Sequence, residues 1–143
     1  MSKRKTKTDQ FKVEFNYWAA ILLDKAYPFV KDTRFIHTYA LVDDNRIIRY
    51  NPKKLKTLSD AAIMCAVFHE IGHLIQNLPY NTEEQQIECE YQAEKYALKM
   101  LWKHYRKYYY EVVKSKRKDL KEMSENSLHY KAFSKIKVYK EPK

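Results

Sequence analysis

The chain contains a single glycine among its 143 residues, and this glycine lies between two histidines in the segment His69-Glu70-Ile71-Gly72-His73. Residues four apart on a helix project from the same face, so the segment presents two imidazoles one turn apart. Glycine inside a helix costs roughly 1 kcal/mol relative to alanine. Because the chain accepts this cost only here, we expect another part of the backbone to approach this helix face closely.

The pattern His-Glu-x-x-His is uncommon. In a chain of this length and composition it is expected by chance only about 0.01 times. Two neutral imidazoles on one helix face are suitable ligands for Zn²⁺, and Glu70 is placed to accept a proton from a water held by the ion. The alternative is a surface or core helix that carries two histidines by coincidence. The pattern favours a metal site with His69 and His73 as ligands and Glu70 as general base.

The segment that leads into the motif, residues 61–68, is apolar on all sides. This is typical of a helix buried through the middle of a small domain. Ser59 or Asp60 is a suitable N-cap, and Asn77 and Pro79 end the helix. Two histidines and a carboxylate at the end of a buried helix are costly without partners, and a metal ion would supply one.

A second, long helix is predicted from Thr82 to about Lys118, with Asn81 or Thr82 as its start signal, because this range contains almost no helix-breaking residue. At about 100° per residue, Glu94 lies inside its apolar stripe and Glu90 lies on the edge. The stripe comprises Ile87, Tyr91, Leu98, Leu101, Trp102, Tyr105, Tyr108 and Val112. Carboxylates facing a core are unusual. Either they reach the edge and pair with Lys or Arg, or one binds zinc and the other orients a histidine.

The motif together with the segment Glu90-Tyr91-Gln92-Ala93-Glu94 resembles the gluzincin metallopeptidases, in which a glutamate-bearing helix follows the motif helix. The second segment is similar to corresponding segments of the CAAX prenyl-protease relatives and the ImmA/IrrE phage-repressor peptidases, and the short spacing resembles the minigluzincins. The resemblance covers roughly residues 46–101. It implies that Glu90 is the third zinc ligand and that Glu94 orients a histidine, in place of a shorter Asp or Asn. Because Glu94 is one methylene longer, it stays open as an alternative ligand.

Residues 35–42 and 46–50 are rich in β-branched and aromatic side chains and flank the polar turn 43–45, so they predict a β-hairpin. In gluzincins an edge strand before the motif helix pairs with the extended substrate. The resemblance therefore implies that residues 46–51 lie near this edge. The alternative is a hairpin with a purely structural role.

The expected fold class is α+β: a small zincin-like domain with an N-terminal helix, a short antiparallel sheet or hairpin, the motif helix, the long glutamate helix and a helical C-terminus. We divide the chain into a disordered basic tail (1–8), a minimal catalytic domain (9–118) and a C-terminal helical extension (119–143). The N-terminal helix, within 11–27, is too short in its apolar run to span a bilayer and does not read as a signal peptide. Minigluzincins can be latent, and Asp119, Glu122 or Glu125 would reach the metal if the C-terminus occupied the cleft.

The net charge of +10 is large for this length. Lys103, Arg106 and Lys107 alternate with tyrosines, which indicates either a nucleic-acid surface or a solvated helix face; attraction to acidic protein substrates is a third possibility. Cys65 and Cys89 are expected to be small buried thiols of a cytoplasmic protein. The excess of lysine over arginine favours a phage or archaeal source.

The expected function is that of a zinc-dependent endopeptidase acting on a protein or peptide, with Zn²⁺ as cofactor and no membrane partner. The alternative is a catalytically silent, metal-stabilised module that binds a repressor or nucleic acid on the same fold. The donor to the oxyanion stays open among His37, Tyr39, Tyr80 and Tyr130. The sequence does not select a substrate or an oligomeric state.

Overall fold

The computed structural model describes residues 6–34 and 38–140. Helices and a small mixed sheet form an α+β domain, as the sequence predicts. The elements are α1 (Lys7–Leu23), β1 (Phe29–Lys31), β2 (Ala40–Val42), β3 (Ile48–Tyr50), α2 (Pro52–Leu55), α3 (Asp60–Ile75), α4 (Glu83–His104), α5 (Arg106–Glu122), α6 (Leu128–Phe133) and a 3₁₀ helix (Lys137–Tyr139).

Helix α3 is the central helix of the domain. Ser59 caps it by accepting a hydrogen bond from the Ala62 amide (3.1 Å), and most of its residues are buried, as expected for a helix that is apolar on all sides. It packs against α1, α4, α5 and β2. The helix that carries the motif is therefore held on several sides by the core.

The single glycine lies where α3 meets α4. A Cβ atom built on Gly72 would lie 3.1 Å from the Cα atom and 3.2 Å from the carbonyl oxygen of Ala93. Both atoms belong to the backbone and have little freedom to move. The inferred close approach is confirmed, and the backbone that approaches is that of α4.

The predicted continuous helix from Thr82 to Lys118 is wrong. Thr82 caps α4 as expected, but the helix ends at His104, and Tyr105 takes a non-helical conformation before α5 begins. The Tyr105 hydroxyl accepts a hydrogen bond from the Trp18 indole (3.3 Å). The bend lets α5 fold back on α3 and bury Val112 and Val113. Tertiary packing thus overrides a local preference for helix that contains no breaker.

The sheet has the strand order β1-β3-β2. Strands β2 and β3 form the predicted antiparallel hairpin, with Ala40 opposite Tyr50. Strand β1 adds to β3 in parallel, which the sequence did not predict. Strand β3 is therefore central, so the expectation that residues 46–51 lie at the substrate edge is wrong. Within the described residues, the free edge on the hairpin side belongs to β2. Residues 35–37 of the predicted first strand lie outside the described residues.

The two ends of the chain differ from the expected domain limits. Helix α1 begins at Lys7 with Thr6 as its cap, so part of the expected tail is helical. Residues 1–5 lie outside the described residues. At the other end, α5 runs through the expected boundary at residue 118, and the elements after it pack on α4 and α5. In the two described ranges, no helix combines the length and apolarity that a bilayer-spanning segment requires.

Candidate metal centre

Three of the predicted ligands meet at one point between α3 and α4. Candidate ligand atoms of His69, His73 and Glu90 all lie within 4.8 Å of one another. The Nε2 atoms of the two histidines are 3.2 Å apart, and the Glu90 oxygens lie 3.1 Å from Nε2 of His69 and 2.8 Å from Nε2 of His73. Two ligands of a tetrahedral Zn²⁺ are about 3.3 Å apart when each bond is about 2.05 Å. The donor types and their spacing therefore fit a divalent metal ion.

Each histidine is oriented by a partner on its other ring nitrogen. Nδ1 of His69 lies 2.8 Å from Oε1 of Glu94, and Nδ1 of His73 lies 3.3 Å from Oε1 of Gln76. When Nδ1 donates in these contacts, the lone pair of each Nε2 faces the shared point. The geometry thus separates the two carboxylates: Glu90 joins the cluster and Glu94 contacts the opposite side of His69.

Gln76 is a site residue that the sequence analysis missed. Its side-chain amide donates to the Cys89 carbonyl on α4 (2.6 Å), so its oxygen is held towards His73. The signal that was available is its position three residues after His73, at the end of the motif helix. Both Cys65 and Cys89 are free buried thiols outside the ligand cluster.

The buried carboxylates have strongly shifted acidities. Burial alone would raise the pKa of Glu94, but the charge of Lys116 and hydrogen bonds from His69 and Tyr139 outweigh it and lower this pKa to about 2. Burial would also raise the pKa of Glu90, yet hydrogen bonds from the neighbouring histidines hold it below its ordinary value. For Glu70 burial dominates and raises the pKa. One glutamate in the site is thus tuned towards accepting protons, whereas the other two stay ionised.

His69 shows the complementary shift. Burial opposes its protonation, but hydrogen bonds to Glu90 and Glu94 outweigh burial and raise the pKa of His69 well above its ordinary value. A proton on this ring and a metal ion at Nε2 compete for the same lone pair.

The cluster lies on the wall of a cleft of about 470 Å³, lined by strand β2, the motif helix and α6. This volume is within the range of ligand pockets, roughly 300–1,000 Å³. Tyr80 and Tyr39 line it, as two of the proposed oxyanion donors, and the Tyr80 hydroxyl lies 3.4 Å from Oε2 of Glu90. Tyr130 is not among the described lining residues, and His37 lies outside the described residues.

His129 on α6 is the second missed residue. Its Nε2 atom lies 3.4 Å from Oε1 of Glu90, its side chain is 45 % exposed, and it lines the cleft. No metal-binding spacing links His129 to the motif, so the sequence carries no local signal for it. Among the described residues, Asp119, Glu122 and Glu125 neither line the cleft nor join the cluster.

No family model, curated protein or solved structure matches this chain. The gluzincin resemblance therefore depends on the motif, its spacing and the geometry described above.

Proposed function

We propose that the protein is a zinc-dependent endopeptidase of the gluzincin type. The observation that carries this proposal is the convergence of His69, His73 and Glu90 beside the buried Glu70, on the wall of an open cleft. When bound, Zn²⁺ supplies Lewis acidity that lowers the pKa of a water from about 15.7 towards 7. Glu70 does not belong to the ligand cluster, so a role as proton acceptor best explains its position beside it.

Glu70 acts as the general base. Its carboxylate accepts a proton from the water that adds to the scissile carbonyl carbon, and it then passes this proton to the amine nitrogen as the C–N bond breaks. The raised pKa of Glu70 supports both steps, because a group with a pKa nearer neutrality both accepts and returns a proton readily.

The substrate binds in extended form along β2. Residues of this strand line the cleft, and β2 is the edge of the sheet on the hairpin side in the described part of the chain. Unpaired backbone groups at a strand edge recognise an extended peptide through main-chain hydrogen bonds. Strand β3, in contrast, is paired on both sides.

His129 and Tyr80 are the donors best placed to stabilise the oxyanion. The Nε2 atom of His129 lies 3.4 Å from one carboxylate oxygen of Glu90, and the Tyr80 hydroxyl lies 3.4 Å from the other. A donor near a developing negative charge contributes about 10²–10³-fold to the rate in comparable sites. His129→Ala and Tyr80→Phe, compared separately, identify which of the two makes this contribution.

The decisive experiment measures zinc content and hydrolysis of a peptide library in parallel. Wild type is expected to hold about one equivalent of zinc, and Glu70→Gln to keep the metal but to lose about 10²–10⁴-fold in rate. Glu88→Gln on the outward face of α4 is the matched control and should leave both unchanged. Wild-type protein that is folded yet binds no zinc would contradict the proposal.

A second candidate function is nucleic-acid binding by a metal-stabilised but catalytically silent domain. At the junction of α4 and α5, Trp102 is 43 % exposed and Tyr110 is 58 % exposed, and the Arg106 guanidinium lies 4.0 Å above the Trp102 ring. Exposed rings beside basic side chains are typical of single-strand binding surfaces. Salt-dependent binding of single-stranded DNA that Trp102→Ala abolishes, without cleavage of any peptide, would favour this candidate.

A further inference from the structure

Behind the metal centre, the carboxylate of Glu94 is 0 % exposed to solvent and bonded through both of its oxygens. Oε1 lies 2.8 Å from Nδ1 of His69. Oε2 accepts a hydrogen bond from the Tyr139 hydroxyl (2.5 Å) and lies 3.3 Å from the Lys116 ammonium. The contact that orients His69 is therefore one of several contacts made by the same buried carboxylate.

Burial makes these further contacts necessary. An isolated carboxylate in the interior is several kcal/mol less stable than in water unless charges or hydrogen bonds compensate it. A neutral histidine donating through Nδ1 supplies one hydrogen bond but no charge. Lys116 supplies the opposite charge, and Tyr139 supplies a second directed hydrogen bond. Within the site, the three buried carboxylates Glu70, Glu90 and Glu94 would be balanced by a dication together with the Lys116 ammonium.

The two partners come from the C-terminal part of the chain. Lys116 lies on α5, which reaches the site because the chain bends at Tyr105, and Tyr139 lies in the terminal 3₁₀ helix. The Lys116 ammonium also lies 4.7 Å above the ring of Phe133 on α6. Three successive C-terminal elements thus meet around the Glu94 carboxylate and its lysine partner.

We propose that Lys116 and Tyr139 are positioning residues of the metal centre, which hold the Glu94 carboxylate against Nδ1 of His69 and thereby aim Nε2 at the ion. This inference rests on the metal centre of the proposed function, but not on hydrolysis. It gives the C-terminal segment a supporting role: removing it weakens metal binding. A segment that only blocked the cleft would leave metal affinity unchanged when removed.

The test is zinc affinity, measured by competition with a chelator on the full chain. Tyr139→Phe removes only the hydroxyl and is expected to weaken zinc binding by roughly 3–10-fold, and Lys116→Met by roughly 10–100-fold, the range of outer-sphere partners. Lys116→Arg keeps the charge and should restore part of the loss. Tyr109→Phe and Lys135→Met are matched controls, because the ring of Tyr109 contacts Trp102 rather than Glu94 and Lys135 pairs with Glu88 at the surface.

A second measurement separates positioning from general stability. In zinc-loaded protein, ¹⁵N chemical shifts report which ring nitrogen of His69 carries the proton. Wild type should show a single Nδ1–H form, and Tyr139→Phe should broaden or shift this signal while the unfolding temperature stays close to that of Tyr109→Phe.

The outcomes are distinguishable. Wild type that binds no zinc overturns the metal centre and the proposed function together with this inference. Wild type that binds zinc, with the affinity and the His69 signal unchanged in Tyr139→Phe, overturns the positioning role alone. If Lys116→Met does not fold, Tyr139→Phe still decides, because a ring without its hydroxyl preserves the packing.

Discussion

The two sides of the His69 ring differ in almost every physical respect. At Nε2, which we call the front, His73 and Glu90 lie beside an open cleft together with the half-exposed His129. At Nδ1, the back, Glu94 is fully enclosed. The front has several donors and acceptors around one point, whereas at the back each oxygen of the carboxylate has a fixed partner.

This difference indicates that the two nitrogens of His69 have different roles: Nε2 exchanges its partner, and Nδ1 fixes the orientation of the ring. A front with solvent access allows a proton, a metal ion or a substrate group to exchange. At the back, Glu94 is shielded from solvent, so its hydrogen bond to Nδ1 keeps the ring in one orientation. Five predictions test this comparison, from the largest expected effect to the smallest.

The largest effect is expected at the back. Lys116→Met removes the ammonium that pairs with the fully buried Glu94 carboxylate and should lower the free energy of unfolding by about 3–5 kcal/mol, as for other broken buried pairs. Denaturant titration of the metal-free protein measures this change. A loss below about 1 kcal/mol would show that the back is not a closed environment.

The front and the back can then be compared through their two glutamates. Glu90→Gln removes a proposed ligand and should weaken zinc binding by more than the roughly 10–100-fold expected for Glu94→Gln, which removes an outer partner. Chelator competition measures both. Equal effects, or a larger effect of Glu94→Gln, would reverse the assignment of the ligand and the orienting residue.

Zinc affinity should depend on pH, because zinc and a proton compete for Nε2 of His69. The pKa of His69 is raised in the metal-free fold, so its proton stabilises that fold fully below the ordinary value of 6.5 and progressively less as pH rises towards the folded-state pKa. Zinc must displace this proton, so its apparent affinity should increase about tenfold per pH unit up to that pKa. Calorimetry in buffers of different ionisation enthalpy counts the released proton. An affinity that is constant with pH would contradict the shift.

Gly72 tests the contact that joins the two helices bearing the site. Gly72→Ala gains about 1 kcal/mol of helix propensity but places a methyl group against the Ala93 backbone, so we expect a net loss of about 1 kcal/mol. Adding Ala93→Gly should not restore stability, because the nearest atoms belong to the backbone. A variant that is more stable than wild type would mean that α4 shifts freely.

The smallest effect is expected at the surface. Lys135 and Glu88 form a pair of 3.4 Å, almost the same length as the 3.3 Å between Lys116 and Glu94, but their side chains are 47 % and 44 % exposed. Lys135→Met should change the unfolding free energy by no more than about 0.5 kcal/mol. Urea unfolding at low and high salt checks this. If Lys135→Met lowered the free energy of unfolding as much as Lys116→Met, burial would not explain the difference expected between the two ion pairs.

The motif helix and its partner were predictable because their signals are local. The spacing of His69 and His73 within one turn, the stripe that contains Glu94 and the single glycine each follow from positions along one helix. The bend at Tyr105 was not predictable, because no residue near it disfavours helix. It accompanies the packing of α5 on α3 and a hydrogen bond from Trp18, which is distant in sequence.

The hairpin was likewise predictable only in its local features. Its two strands and its turn follow from β-branched residues on either side of Asp43, whose carboxylate accepts hydrogen bonds from the amides of Asn45 and Ile47. Which strand is central depends on β1, and β1 joins the sheet by a parallel pairing that leaves no pattern in a short segment.

The sequence by itself determined that His69 and His73 project from one helix face, because a helix fixes the relation between residues three or four apart, and it left Glu90 and Glu94 as alternatives for the third ligand. The tertiary structure decided that Glu90 joins the two histidines and what surrounds the cluster: the edge strand β2, His129 beside Glu90, and Lys116 with Tyr139 on Glu94. These residues meet the cluster only after distant segments pack together, and packing depends on the burial of whole surfaces rather than on local spacing. On this proposal, the orientation of the His69 ring depends on residues near the C-terminal end of the described chain as well as on the motif.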